Sequence, residues 1–307
     1  MNIDIIQLHL SDSPAHLEAV QQLLHEVAKT DGVEPFSEQF LLGLSDPRLG
    51  HHHFLACAED AVVGVLALAK DQAELAVAPA YRRRAVATKL IEAAADGVES
   101  LGVWAHGNLP PARTLASKLG GKMTRELLVM ATGERREAVA APEGIAVFSL
   151  TEARDRWGEV ADEQLLKVNN EAFSWHPEQG GWDMARWRRA QEAEWFSPDD
   201  VLLMGQQSGV GELNVLGFHW VKWPRLLNGE PAGRSGEVYV VGLADAARGK
   251  GLGAPLISAG IQRLWDLGAE QVELYVEADN NPAVSAYEAL GFAVVESHAV
   301  YTLPGIK

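Results

Sequence analysis

The sequence predicts a mixed α/β (α+β) chain of two tandem domains, each a central mixed sheet flanked by helices, and three observations carry that prediction. Its 307 residues exceed one ordinary core, 47% of them are hydrophobic, and one order of segments occurs twice. From Asp71 the chain reads DQAELAVAPAYRRRAVATKLIEAAADGVESLG, and from Glu237 it reads EVYVVGLADAARGKGLGAPLISAGIQRLWDLG. Each stretch holds an apolar strand, a basic turn rich in Gly or Ala, and a helix with apolar residues at helical spacing that closes on Leu-Gly. A second pair, NLPPARTLASKLGG from Asn108 and DNNPAVSAYEALGF from Asp279, repeats a polar turn and a short helix ending at Leu-Gly. Self-similarity of this kind points to duplication. The join is expected between Gly133 and Gly144, giving domains of residues 1–138 and 139–307.

The individual elements follow from local pattern. Residues 1–10 alternate apolar and polar side chains without a basic start or a continuous apolar stretch, which predicts a strand and not a signal peptide. Residues 17–28 have helical spacing, and 53–70 read as two strands around Glu59-Asp60. In the second half, 157–173 and 186–195 read as helices and 201–223 as strands turning at 208–212. Apolar runs such as 61–69 are too short for a bilayer, so no membrane partner is expected.

Charge and cysteine content narrow the function. With 42 acidic residues against 26 basic ones, the formal charge of -16 repels phosphate backbones and argues against a nucleic-acid partner. The single cysteine, Cys57, forms no internal disulfide, and no Cys/His spacing suggests zinc, so a reducing cytoplasm is the expected compartment. A monomer is the expected state. Neighbours on an extended chain point to opposite sides, so His51-His52-His53 reads as a polar loop with no metal. Trp175, Trp182, Trp187, Trp195, Trp220 and Trp223 read as core and pocket wall, not as a stacking platform for bases.

The chemistry concentrates in Arg248-Gly249-Lys250-Gly251-Leu252-Gly253-Ala254, which follows the strand Val240-Val241-Gly242-Leu243. Glycines at alternate positions before a helix let backbone N–H groups converge on a phosphate, and the helix dipole, Arg248 and Lys250 add positive potential. Taken alone, the turn is equally readable as a helix start without a ligand. The glycine order is not that of a dinucleotide-binding fingerprint, and Gly249-Lys250 lacks the Ser/Thr of a phosphate-binding P-loop.

Arg248-Gly249-Lys250-Gly251-Leu252-Gly253 resembles, position by position, the Q/R-x-x-G-x-G/A acyl-CoA motif of the GCN5-related N-acetyltransferases (GNAT). The family's downstream signature is matched by Leu274-Tyr275-Val276-Glu277, Asn280-Asn281-Pro282-Ala283, Tyr287 and Leu290-Gly291-Phe292. Further segments resemble a tandem-domain branch of that family: Asp31-Gly32-Val33 with Pro35, Glu38 and Gln39; Trp104-Ala105-His106-Gly107; Asn169-Asn170-Glu171; His176-Pro177-Glu178-Gln179; and Gly217-Phe218-His219-Trp220 with Lys222.

The resemblance implies acetyl-CoA as co-substrate and, as acceptor, the cysteinyl amine of cysteinyl-glucosaminyl-inositol. It implies Glu237 as general base, acting through water, and Tyr287 as general acid at the CoA sulfur. It places acetyl-CoA on Val241, Gly242 and Leu243, with the Leu243 N–H at the thioester oxygen. The remaining contacts fall on Arg248, Gly249, Lys250, Gly251, Leu252, Gly253 and Ala254, and on Asn280, Asn281, Pro282, Ala283, Val284 and Ser285. Glu38, Glu178, Lys222, Tyr275 and Glu237 are implied to hold the acceptor, Glu38 bringing the first domain into that role as a wall of the acceptor cleft. Without the resemblance, each of these acids and bases reads as an ordinary solvated charge.

The first half departs from the motif. Alanines Ala85 and Ala87 stand at the positions of Gly251 and Gly253, Asp71 stands opposite Glu237, and Ala116 opposite Tyr287. The first domain is therefore expected not to catalyse, and Leu75, Ala76, Val77, Arg83, Arg84, Ala85, Val86, Ala87 and Thr88 mark a doubtful second CoA site. Two alternatives stay open: acetyl transfer to another small amine, or a CoA-binding module without chemistry.

Overall fold

The computed structural model describes residues 3–59, 61–175, 179–207, 212–223 and 234–305. It divides into two compact units, the first comprising Met1–Leu128, Glu277–Asp279 and Glu296–Lys307, the second Val129–Val276 and Asn280–Val295. The units are not contiguous stretches of chain. A cut at residues 138 and 139 separates the repeated motifs, but the last twelve residues, 296–307, join the first unit.

In the first unit, β1 (Asp4–Leu8), α1 (Pro14–Asp31), α2 (Glu38–Gly43), β2 (His52–Ala58), β3 (Ala61–Ala69), β4 (Gln72–Val77), α3 (Val86–Ala94), β5 (Ser100–Ala105) and α4 (Pro110–Lys118) are followed by β6 (Lys122–Thr132), whose first part belongs here. The second unit contains β7 (Ile145–Ser149), α5 (Leu150–Trp157), α6 (Val160–Ala172), α7 (Met184–Ala190), β8 (Val201–Gln207), β9 (Leu213–Lys222), β10 (Ser235–Leu243), α8 (Gly253–Asp266), β11 (Gln271–Glu277) and α9 (Asn281–Ala289). The last strand, β12 (Ala293–Pro304), ends in the first unit and pairs antiparallel with β5 there, Ala299 opposite Ala105 through Pro304 opposite Ser100.

The sheet of the first unit runs β1-β2-β3-β4-β5-β12, and that of the second runs β11-β10-β9-β8-β7. In each, one parallel pair interrupts antiparallel neighbours: β4 with β5 and β10 with β11. Helices cover the sheets because their apolar faces have nowhere else to go. On α1, Val20, Leu23, Leu24 and Val27 share one face and are buried against β2, β3 and β4, each worth about 1.5–3 kcal/mol. The core of the second unit gathers Phe148, Leu165, Trp187, Leu203, Phe218, Trp220 and Leu256.

Several sequence expectations need adjustment. The segment 157–173 is not one helix: Gly158, at φ 59° and ψ -140°, separates α5 from α6. The helix expected over 186–195 ends at Ala190, and β7 precedes the helices with no strong signal in sequence. The tight turn expected at 208–212 lies, for residues 208–211, outside the described residues. The histidine run is not a polar loop. His52 and His53 begin β2, and the strand's alternation leaves His52 exposed while His51 and His53 are buried. The expectation that all six tryptophans are core or wall fails at Trp175, which is 65% exposed. Among the described residues no helix is long and apolar enough to cross a membrane, and no three His, Cys, Asp or Glu side chains cluster as metal ligands.

Candidate active site

The geometry of the second unit turns on where β10 parts from β11. Their parallel ladder covers only Ser235 to Val238 against Gln271 to Leu274. On its other side β10 stays paired with β9, through a register shift between Val238 and Val240, as far as Leu243 opposite Gly217. Ala244 N–H donates to Leu216 O on the β9 side at 2.9 Å. Successive N–H groups of a strand point to opposite edges, so the N–H groups of Leu243 and Val241 face the β11 side, where the ladder has already ended. These donors point to the β11 side beyond the end of that ladder.

At the start of β10, Glu237 lies directly opposite Lys222 of β9. Their charged atoms, Glu237 Oε2 and Lys222 Nζ, are 3.9 Å apart, with each side chain 17% exposed. Tyr275 follows Leu274 just past the last β10–β11 pair and is 45% exposed.

Beyond Leu243 the chain makes a single helical turn over Asp245–Ala247, runs through 248–252, and enters α8. Gly249 and Gly251 hold φ of 72° and 74°, the left-handed region that glycine adopts without cost. A β-carbon at either would meet no protein atom within 4 Å, so protein packing does not demand glycine there; the backbone conformation favours it, and the space above the turn is open. No side chain caps α8, and Pro255 in its first turn has no N–H, so the free amides of Gly253 and Ala254 face that space. Arg248 is less available than the sequence suggests: it pairs with Asp245 at 3.1 Å, while Lys250 is exposed. Asp245 is in turn tied to α6, its N–H donating to Glu171 Oε2 at 3.2 Å.

Asn280 caps α9, its side-chain oxygen accepting from Ala283 N–H at 3.3 Å. Tyr287 lies on this helix, 8% exposed and edge-on to Phe292 at 5.8 Å. Burial raises its phenol to about 12, so it holds its proton throughout the ordinary pH range.

Glu178 lies outside the described residues. Its flanks are described: Asn169 and Gln179 exchange hydrogen bonds at 2.9 and 3.0 Å, and Asn170 binds both backbone groups of Trp182 at 2.8 Å. In sequence these two asparagines of α6 had no signal beyond their presence in a motif. Glu38 belongs to the first unit, where it is the first residue of α2 and where Ser37 N–H donates to the buried Glu74 carboxylate at 2.7 Å.

A profile of the Acetyltransferase (GNAT) family matches residues 17–120 and again 163–292, more than half of the chain. The chain belongs to the GNAT acetyltransferase family. GNAT proteins use acetyl-CoA, and the two matched regions make this chain a tandem member with acyltransferase activity. It is similar to proteins named mycothiol acetyltransferase: that of Corynebacterium aurimucosum is 47% identical over 299 residues, covering 94% of this chain and 96% of that protein. That of Corynebacterium efficiens is 47% identical over 305 residues, covering 98% and 97%. Among solved structures, a tandem GNAT protein from the clavulanic acid biosynthesis pathway superposes with a TM-score of 0.72 at 16% identity, covering 100% of this chain and 99% of that one. A GNAT protein from Sphaerobacter thermophilus gives 0.70 at 21% identity, covering 99% and 97%. At these identities the structural likeness concerns the GNAT fold alone.

Proposed function

We propose that this GNAT protein transfers the acetyl group of acetyl-CoA to the cysteinyl amine of cysteinyl-glucosaminyl-inositol, with the chemistry in the second unit. The relatives named mycothiol acetyltransferase support the acceptor. The observation that carries the chemistry is the Glu237–Lys222 pair at the point where β10 leaves β11, one strand length before a turn open to a pyrophosphate.

Glu237 takes a proton from the ammonium, through water, and the amine nitrogen attacks the thioester carbonyl. The Leu243 N–H donates to the developing oxyanion. The C–S bond breaks and the departing thiolate takes a proton from Tyr287, which burial keeps protonated, while the nitrogen loses its second proton as the amide forms and that proton restores the phenol. The turn at 248–254 and the segment Asn280 to Ser285 hold the CoA moiety, while Lys222, Tyr275 and Glu178 bind acceptor hydroxyls and the amine. The first unit, with Asp71 and Ala116 in place of the base and acid, contributes no chemistry of its own.

Mass spectrometry of the acceptor after incubation with acetyl-CoA tests the reading: a single N-acetylated product is expected, and no acetylation of this acceptor beside rapid acetylation of another amine overturns it. Glu237→Gln is expected to lower kcat about 10²- to 10⁴-fold with little change in KM for acetyl-CoA.

A further inference from the structure

The two basic turns begin alike. Ala78 and Ala244 each open a single helical turn, Pro79–Tyr81 in the first unit and Asp245–Ala247 in the second. Arg82 and Arg248 follow with nearly equal backbone angles, φ -66° and ψ 158° against φ -64° and ψ 146°. The helices α1 and α6 also end alike, Gly32 N–H donating to Ala28 O and Phe173 N–H to Asn169 O, both at 2.9 Å. Asp31 is therefore matched by Ala172, Thr30 by Glu171 and, in the turns, Pro79 by Asp245.

Each arginine reaches back to the last residue of its helix. Arg82 does so through the Asp31 carboxylate, at 2.7 and 2.8 Å. Arg248 meets no carboxylate at Ala172 and donates to its backbone oxygen at 3.5 Å. The acid has moved across to the turn, where Asp245 stands in place of Pro79 and pairs with Arg248 at 3.1 Å. The neighbouring position changes in step. Pro79 has no N–H to satisfy, whereas the N–H of Asp245 donates to Glu171 Oε2 at 3.2 Å. Thr30, matched to Glu171, turns its hydroxyl inward to Glu26 O of its own helix.

These exchanges at matched positions preserve one thing, a tie between the first arginine of the turn and the end of the preceding helix. The tie persists in the first unit, where Ala85 and Ala87 replace two glycines of the turn. An arginine kept only to meet a phosphate gains nothing from a carboxylate on its own turn, which competes for the same guanidinium. We propose that Arg248 is a positioning residue that fastens the start of the acyl-CoA turn to the end of α6, with Asp245 as its carboxylate, and leaves the phosphates to the turn's backbone amides and Lys250. This rests on the turn holding acetyl-CoA, as proposed above.

Titration calorimetry with acetyl-CoA separates brace from phosphate ligand by the sign of one effect. Arg248 and Asp245 are 53% and 67% exposed, so losing their bond has a modest cost. Asp245→Asn, which keeps the backbone N–H on Glu171, is expected to weaken acetyl-CoA binding about two- to fivefold. A phosphate-binding Arg248 would be released by the same change, so tighter or unaltered binding overturns the proposal. In an Arg248→Gln background Asp245→Asn is expected to add little, and an equal weakening in both backgrounds overturns it too. Ala172→Asp, added to Asp245→Asn, returns the acid to the helix end as in the first unit and is expected to recover most of the loss; no recovery overturns the exchange of partners. In steady-state kinetics Asp245→Asn is expected to raise KM for acetyl-CoA while kcat and the acceptor KM stay unchanged, and a fall in kcat at unaltered KM overturns the positioning role. A wild-type protein that binds acetyl-CoA but does not acetylate the cysteinyl pseudo-disaccharide overturns the substrate reading and leaves the calorimetry standing.

Discussion

Tyr287 shows how one buried hydroxyl couples chemistry to stability. Burial raises its ionisation to about 12, so at neutral pH it keeps its proton and can donate it. In the unfolded chain a tyrosine ionises near 10. The folded value lies above the unfolded one, so the stability this group contributes is complete below about pH 10 and is lost as pH rises through about 12. Tyr287→Phe is expected to lower kcat about a hundredfold or more. It is also expected to flatten the alkaline limb of the thermal-melting profile between about 10 and 12, and a limb unchanged by the substitution would assign that sensitivity elsewhere.

At the scale of elements, the two basic turns invite direct comparison. In the second unit Gly249 and Gly251 take φ of 72° and 74°; at the matching positions of the first unit, Arg83 and Ala85 take 62° and 60°. The turn keeps its shape where the glycines are gone, although a left-handed conformation costs an L-residue about 1–2 kcal/mol. Arg82 braces it, making paired bonds of 2.7 and 2.8 Å to Asp31 and a third, at 3.1 Å, to Val77 O. Ala85→Gly is therefore expected to stabilise the protein by about 0.5–1 kcal/mol in chemical denaturation. Gly251→Ala is expected to destabilise it by about 1 kcal/mol and, because its β-carbon would stand in open space beside the α8 amides, to raise KM for acetyl-CoA as well. A stability loss without a KM change would mean that the ligand does not approach that glycine.

The whole molecule carries an acid sensitivity written in its interior. His53 and His298 in the first unit and His219 in the second are buried, and burial lowers each to about 4. His219, fully buried, donates Nδ1–H to Leu256 O of α8 at 3.1 Å, and a β-carbon at Gly260 would collide with its ring. Folded values below the unfolded 6.5 mean stability that is complete above about pH 6.5 and is lost as pH falls through about 4. For His219 the contribution is about 3 kcal/mol. The melting temperature is expected to drop steeply across this window, and His219→Gln to make that drop shallower; an equal slope in the variant would show that the ring is not neutral in the folded protein.

The reaction class is legible in residue order because acyl-CoA binding depends on backbone conformation, and glycines, an Asn-Pro helix start and Leu-Gly ends are local signals that do not wait for the fold. The 248–254 turn stands out this way, whereas Glu237 and Lys222 are singled out by the family resemblance alone. Amphipathic spacing similarly reveals α1 and the hairpin of β2 and β3. Other features depend on side chains distant in sequence meeting across strands. Trp195 comes to Lys222 only through the packing of a loop against β9 and β10, and the buried face of the histidine run is set by pairing of β2 with β1 and β3. The last strand's membership in the first unit is likewise decided by its hydrogen bonds with β5, a long-range pairing for which a linear pattern has no period.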